Sequence, residues 1–95
     1  MHEISIALRD LSRAPSHRIT HIGGKLSNGI PWKITAQEAI DGIRGNPTSY
    51  FIRLDDGKKA YLVLGTHPLD GTFLTVDGDT REPKKLLNLP EVYEH

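Results

Sequence analysis

The chain has 95 residues, enough for one hydrophobic core, so we expect a single domain spanning residues 1–95. Its 12 basic and 12 acidic residues cancel, which removes the overall charge that draws many proteins to nucleic acid or to anionic membranes. The absence of cysteine excludes disulfides, thiolate catalysis and zinc–thiolate sites, and it fits a reducing compartment. We therefore expect a cytoplasmic protein.

Neither end of the sequence suggests a membrane or a secretory route. The first residues lack a basic segment followed by an apolar one, and no apolar run approaches the roughly 18 residues that a spanning helix needs. We expect no membrane partner. The charge is unevenly distributed, because the residues through Thr35 include five basic and two acidic side chains. This asymmetry predicts a modest positive patch in the N-terminal part.

Short strand patterns dominate the first third of the chain. Ile4, Ile6 and Leu8 alternate with less apolar neighbours, which favours a strand, although part of this spacing also fits a short helix. A second strand is predicted over residues 18–22 and a third over residues 30–34. The third contains a proline, which is typical of a sheet edge or of a strand start.

An amphipathic helix is predicted over residues 36–44. Thr35 and Glu38 have the spacing of a capping box, and apolar residues recur on one face of the helix. Gly45 suits the left-handed position after a helix, and Pro47 prevents its continuation. Gly42 lowers helix propensity within this segment, which indicates close packing against a neighbour.

The strongest strand pattern follows the helix. Residues 49–54 and 59–64 are rich in aromatic and branched side chains and flank an Asp-Gly turn, which predicts a hairpin. Residues 60–64 are apolar at every position, so we expect this strand to be central and covered on both faces. Residues 72–76 predict a last strand, and residues 86–90 a helical turn that packs its leucines on the core.

These elements predict an α+β fold. We expect a strongly curved antiparallel sheet of about five strands with one helix packed on one face. One short helix covers only one face of a sheet. The remaining apolar positions therefore require curvature, the N-terminal segment or a second subunit to cover them.

Metal and phosphate motifs are not supported by the sequence. His17 and His21 have the i, i+4 spacing of zinc ligands on a helix, but they fall on a predicted strand, where four residues span about 13 Å. Residues 23–25 read Gly-Gly-Lys but lack the other positions of a phosphate-binding P-loop. The aspartates of residues 77–79 fit turn chemistry better than a calcium loop. We predict no metal site and no cofactor.

The sequence also lacks a catalytic signature. It has no cysteine, no Gly-x-Ser-x-Gly elbow and no histidine whose position indicates a serine partner. We therefore expect a protein that is not an enzyme.

Several segments of the chain resemble a known family. They are Ile19-Thr20-His21-Ile22-Gly23, Trp32-Lys33-Ile34-Thr35 with the following helix, Tyr50-Phe51-Ile52, Phe73 to Asp79, and Leu86-Leu87-Asn88-Leu89-Pro90. Over residues 19–90 the chain resembles the short bacterial and phage-encoded domains grouped as domain of unknown function 3892. The shared motifs are mostly structural, so the resemblance implies a fold and transfers no catalytic residue.

Two binding functions follow from these patterns. The excess of apolar strand positions favours a small noncatalytic binding or adaptor module that contacts another protein or its own copy, with Tyr50, Tyr61, Leu62 and Leu64 as candidate contact residues. The alternative is a nucleic-acid-binding module with a basic and aromatic surface. Its candidate residues are Arg18, Lys25, Trp32 and Lys33.

Overall fold

The computed structural model describes residues 2–69, 71–79 and 83–91. Within these ranges it contains seven strands, two α-helices and one 3-10 helix. The strands are β1 (His2–Glu3), β2 (Ile6–Arg9), β3 (Ile19–Lys25), β4 (Pro31–Thr35), β5 (Tyr50–Arg53), β6 (Lys59–His67) and β7 (Gly71–Val76). The helices are the 3-10 helix (Pro15–His17), α1 (Ala36–Gly45) and α2 (Lys84–Leu87).

The strands form two sheets, which corrects the expectation of one curved sheet of about five strands. Strands β2, β3 and β4 form an antiparallel sheet in the order β2-β3-β4. The other sheet has the order β1-β5-β6-β7, and its β1–β5 pair is parallel. The α+β class is confirmed.

The N-terminal segment joins the two sheets. The amides of His2 and Ile4 donate to carbonyls of Ser49 and Phe51 in 2.8 Å hydrogen bonds, whereas the amide of Ser5 donates to Gly23 on β3 at 2.9 Å. The predicted N-terminal strand is therefore interrupted at residues 4 and 5, where it leaves one sheet and enters the other. Gly24 lies at this junction, because a Cβ there would be 2.2 Å from the backbone oxygen of Glu3.

The core lies between the two sheets and the helices. Buried side chains from both sheets, α1 and α2 form one cluster. Its members include Ile22, Ile40, Ile52, Leu62, Val76 and Leu86. Helix α1 packs against β3, β4, β6 and β7, so it closes one side of the space between the sheets. The expectation of a helix on one face of one sheet is therefore corrected as well.

Helix α1 begins as its sequence predicts. The Thr35 hydroxyl accepts from the amide of Glu38 at 3.1 Å, and the Glu38 carboxylate accepts from the amide of Thr35 at 3.2 Å, which completes the capping box. Gly42 faces Tyr50, whose hydroxyl would lie 3.3 Å and whose ring 3.4 Å from an added Cβ. The prediction of a left-handed Gly45 is wrong, because Gly45 is the last helical residue and Asn46 continues in extended conformation.

An ion pair holds the second helix against the last strand. Lys85 donates to Asp79 from both its amide and its Nζ, each at 3.0 Å. Burial disfavours ionisation of Asp79, but these two hydrogen bonds and the charges of Lys85 and Lys84 outweigh it, so the pKa of Asp79 is lowered from 3.8. Ionised Asp79 therefore stabilises the folded state.

We expect this stabilisation to disappear in acid. Because the folded-state pKa of Asp79 is depressed, its contribution is present above the unfolded pKa near 3.8 and is lost as the pH falls through the folded value. Urea unfolding of wild type and Asp79→Asn should show a gap in unfolding free energy at pH 7 that closes at acidic pH, where Asp79 is protonated in both the folded and the unfolded state. A gap of equal size at both pH values would refute the ionic contribution.

Candidate functional site

A cleft of about 350 Å³ opens at one end of the molecule, where the 3-10 helix, β3, β7 and the first turn of α1 meet. Its polar lining consists of Arg13, Ser16, His17, Thr20, His21, Thr35, Gln37 and Thr72. Its apolar lining consists of Ile19, Ala36, Ile40, Phe73 and Leu74. The lining includes one arginine and two histidines, and none of its side chains is a carboxylate. Two other clefts in the described residues include acidic side chains, Glu3 in one and Asp55 with Asp56 in the other.

His17 is held by its neighbours at the floor of this end. Its ring lies 5.6 Å from the ring of Phe73 and 6.5 Å from that of His67, measured between centroids. Its Nδ1 is 2.9 Å from the hydroxyl of Ser16. Its Nε2 is buried and has no hydrogen-bond partner among the described residues.

His21 and two arginines complete the basic character of this end. His21 Nδ1 lies 3.0 Å from the Thr20 hydroxyl, and this contact does not involve the other ring nitrogen, Nε2. The guanidinium of Arg13 lies 3.5 Å from Asp10, and its side chain stays 57% exposed. Arg18 donates to the backbone carbonyl of Arg13 but is not part of the cleft lining.

The histidines correct the strand argument made from their spacing. His17 lies in the 3-10 helix and only His21 lies in β3, so the chain bends between them and both line one cleft. In the described part of the chain, no three histidine, aspartate or glutamate side chains are grouped to hold a metal ion.

The Ser16–His17 contact has the residue types of a nucleophile and its base. Ser16 is only 6% exposed, although it belongs to the cleft lining. The lining of this cleft includes no carboxylate that could orient the imidazole as the third member of a triad.

The four residues predicted to contact a partner protein occupy different environments. Leu62 is fully buried in the core opposite Val76, so it cannot contact a partner in this conformation, and that prediction is corrected. Leu64 is half-buried and packs on the same core. Tyr50 is half-buried beside His2 and Trp32, whereas Tyr61 lies on the opposite face of β6 from Leu62, with its ring 6.1 Å from that of Phe51.

The central strand, for which curvature, the N-terminal segment and a second subunit were the expected alternatives, is covered by other parts of the same chain. β6 lies between β5 and β7 as predicted, and Leu62 on its inner face is covered by the core between the sheets. On the outer face Phe51 is 6% exposed, because Tyr61 and the side chains of Lys59 and Arg53 cover it. The second sheet, which the sequence did not predict, supplies the missing cover.

The residues of the nucleic-acid hypothesis do not form one surface. Adjacent residues of a strand point to opposite faces, so Trp32 and Lys33 are separated by β4 itself. Trp32 packs in an aromatic cluster, with ring centroids 5.5 Å from His2 and 5.8 Å from Tyr50. Arg18 and Lys25 lie at opposite ends of β3, about 23 Å apart along the strand.

Burial changes the pKa of Tyr50, which packs beside His2 and Trp32. Desolvation and, to a smaller extent, the charge of Glu38 raise the pKa of Tyr50 above its usual value of 10.0. Tyr50 therefore acts at neutral pH as an uncharged ring packed between Trp32 and Gly42.

The hairpin between β3 and β4 exposes apolar side chains. Leu26 is 39% and Ile30 is 55% exposed, and the amide of Leu26 donates to the carbonyl of Ile30 at 2.8 Å. The turn is closed by a 2.8 Å hydrogen bond from Gly29, which has a φ of 85°, to Leu26. We call residues 25–33 with this turn the hairpin tip. Lys25 and Lys33 are exposed on its two strands.

The sequence prediction covered the hairpin tip only as part of the strand over residues 30–34. A signal for the tip was present, since two large apolar residues, Leu26 and Ile30, directly flank a Ser-Asn-Gly turn. The cleft carried no local signal, because it forms only when four separate segments meet.

Comparison with family models, curated proteins and solved structures gives no match for this chain. Among the described residues, no helix is both long and apolar enough to cross a bilayer.

Proposed function

We propose that this protein is a small noncatalytic binding module that contacts another protein through the hairpin tip. The observation that carries the proposal is the pair of large apolar side chains, Leu26 and Ile30, exposed side by side on a hydrogen-bonded turn. Exposed apolar groups that are held in fixed positions are typical of protein contact sites. Membership of the family grouped as domain of unknown function 3892 remains a prediction, and the proposal does not depend on it.

The rigidity of the tip supports this role. Asn28 accepts from the amide of Ile30 at 3.1 Å, and the turn hydrogen bond of Gly29 fixes the backbone on the other side. A preformed turn loses little conformational entropy on binding, so more of its contact energy appears as affinity. Exposed Pro31 extends the apolar surface into the first residue of β4.

The charges around the tip define the partner's chemistry. Lys25 and Lys33 are exposed on the two strands that lead into the turn, so a partner that holds the apolar pair in a depression and reaches these strands would offer carboxylates to them. A tip of this size buries little area, which is typical of a transient contact rather than a permanent assembly. A second copy also offers carboxylates, because the chain after Thr35 has ten acidic and seven basic residues.

The nucleic-acid alternative receives less support. Its tryptophan is packed in a cluster and lies on the opposite face of β4 from Lys33, and its remaining cations are distributed along β3. A stacking platform needs aromatic faces open to bases next to phosphate-binding cations. The alternative keeps its own test, which is oligonucleotide binding that weakens steeply with salt.

The hairpin tip is tested by a charge introduced at its apolar pair. The double variant Leu26→Asp and Ile30→Asp should fold normally, because both side chains are exposed, but it should bind the partner at least about tenfold more weakly. The partner is first captured from native lysate, then purified, and its affinity is measured by calorimetry. Sedimentation of the protein alone determines whether a second copy is the partner.

Leu69→Asp is the matched control, since Leu69 is 90% exposed and lies outside the tip. It should change the affinity by less than about twofold. Lys33→Glu should reduce the affinity mainly at low salt, as expected for a charge at the edge of an interface. Equal binding by the double variant and wild type would refute the proposal.

A further inference from the structure

We propose that the cleft at the 3-10 helix binds a small amphipathic phosphate monoester, with its phosphate at the basic side chains and its apolar part on the cleft floor. The inference rests on the juxtaposition of Arg13, His17 and His21 around one cavity that has no carboxylate in its lining. It is independent of the hairpin tip, which lies at the other end of β3.

The formal charge of the lining comes from Arg13. Its guanidinium faces Asp10 at 3.5 Å, outside the lining, and the cleft itself contains two histidines and no acid. Two other clefts of the described residues each combine cations with acids. A lining with cationic and imidazole groups and no carboxylate of its own favours an anionic ligand over a cationic one.

The donors in the lining match a phosphate group better than a halide or a neutral polar group. The guanidinium of Arg13 is a planar donor that binds phosphate in a bidentate manner. The two imidazoles each have one nitrogen engaged by a neighbouring hydroxyl, from Ser16 and Thr20, at 2.9 and 3.0 Å. These two contacts restrain the orientation of both rings. They involve Nδ1 in each ring, so Nε2 takes no part in them.

The floor of the cleft suits an apolar part in the ligand. Ile19, Ile40, Phe73 and Leu74 are buried side chains that also line the cleft. Each is 7% exposed or less, so the floor offers a small apolar contact area that a free phosphate ion does not use. A volume of about 350 Å³ is within the range of sites for small organic ligands.

The N-terminus of α1 borders the cleft, but the Glu38 carboxylate already offsets its partial positive charge. Thr35 lines the cleft, and the carboxylate of Glu38 lies 3.1 Å from its hydroxyl in the capping box. A carboxylate at this position opposes an anion in the cleft. Replacing it with an amide keeps the capping geometry and removes the repulsion, which gives a variant expected to bind more tightly.

The proposal is tested by titrating isotopically labelled protein with phenyl phosphate and following amide chemical shifts. Inorganic phosphate and phenol are titrated separately as the two halves of the ligand. Phenyl phosphate should shift amides of the cleft and bind at least about tenfold more tightly than either half. Arg13→Glu should weaken its binding about tenfold, and Glu38→Gln should strengthen it about threefold.

Arg44→Glu is the matched control for Arg13→Glu. Both arginines face an aspartate three residues earlier, and their side chains are 56% and 57% exposed, so the two substitutions change charge and exposed surface alike. Arg44→Glu should change the affinity by less than about twofold. Equal effects of the two substitutions, shifts outside the cleft, or equal binding of phenyl phosphate and phenol would overturn the proposal.

Discussion

Replacing Gly24 with alanine should destabilise the protein by about 3 kcal/mol, because the added methyl group has no space. An ideal Cβ at this position would lie 2.2 Å from the backbone oxygen of Glu3 and 3.2 Å from Nε1 of Trp32. A backbone oxygen cannot move aside as the end of a flexible side chain can. The N-terminal segment would have to leave β3, and its hydrogen bonds to both sheets would be strained.

Chemical denaturation of Gly24→Ala and wild type measures this loss. A chain of 95 residues is expected to unfold with about 5 to 14 kcal/mol, so a loss of this size removes a large share of the total. Gly45→Ala is the control, since no atom lies within 4 Å of an added Cβ and alanine favours the helix. If Gly24→Ala is as stable as Gly45→Ala, the backbone oxygen of Glu3 does not approach β3 as closely as described.

Leu62→Ala should cost about 4 kcal/mol, which is typical of a leucine removed from a closed core. The Leu62 side chain is 0% exposed and lies between the two sheets, opposite Val76 on the neighbouring strand. Neither sheet can collapse into the cavity without disturbing the other. The expected measurement is a lower midpoint of urea unfolding with an unchanged slope.

Leu64→Ala is the matched comparison, because it removes the same atoms from the same face of β6. Leu64 is only half-buried at the margin of the core, so its loss should be about half as large. A Leu62 that contacted a partner would instead give a variant of normal stability and weakened association. Equal stability of Leu62→Ala and wild type would therefore contradict the buried position of Leu62.

Local patterns in the sequence predict the local elements of this fold well. The capping box of Thr35 and Glu38 forms as expected, because both groups belong to one helical turn. The β5–β6 hairpin and the central position of β6 also follow the prediction, since neighbouring strands and a turn determine them. Pro31 begins an edge strand, as its missing amide requires.

The arrangement of these elements in space could not be predicted in the same way. The two sheets are linked because residues 2–4 pair with β5, nearly fifty positions later in the chain, and no local pattern records such a partner. For the same reason the sequence left the cover of the apolar residues of β6 open between curvature, the N-terminal segment and a second subunit, whereas a second sheet covers them. The cleft brings His17 and His21 together through a bend of the backbone, which strand spacing does not anticipate.

The interrupted N-terminal strand has a consequence for the order in which the protein can assemble during synthesis. The meander of β2, β3 and β4 is contained within residues 6–35, so it can pair while β5, β6 and β7 have still to emerge from the ribosome. Residues 2–4 must wait until residues 49–51 emerge before their amides find acceptors. Strand β1 thus precedes β2, β3 and β4 in the chain but completes its hydrogen bonds after them, and it joins the two sheets when it does.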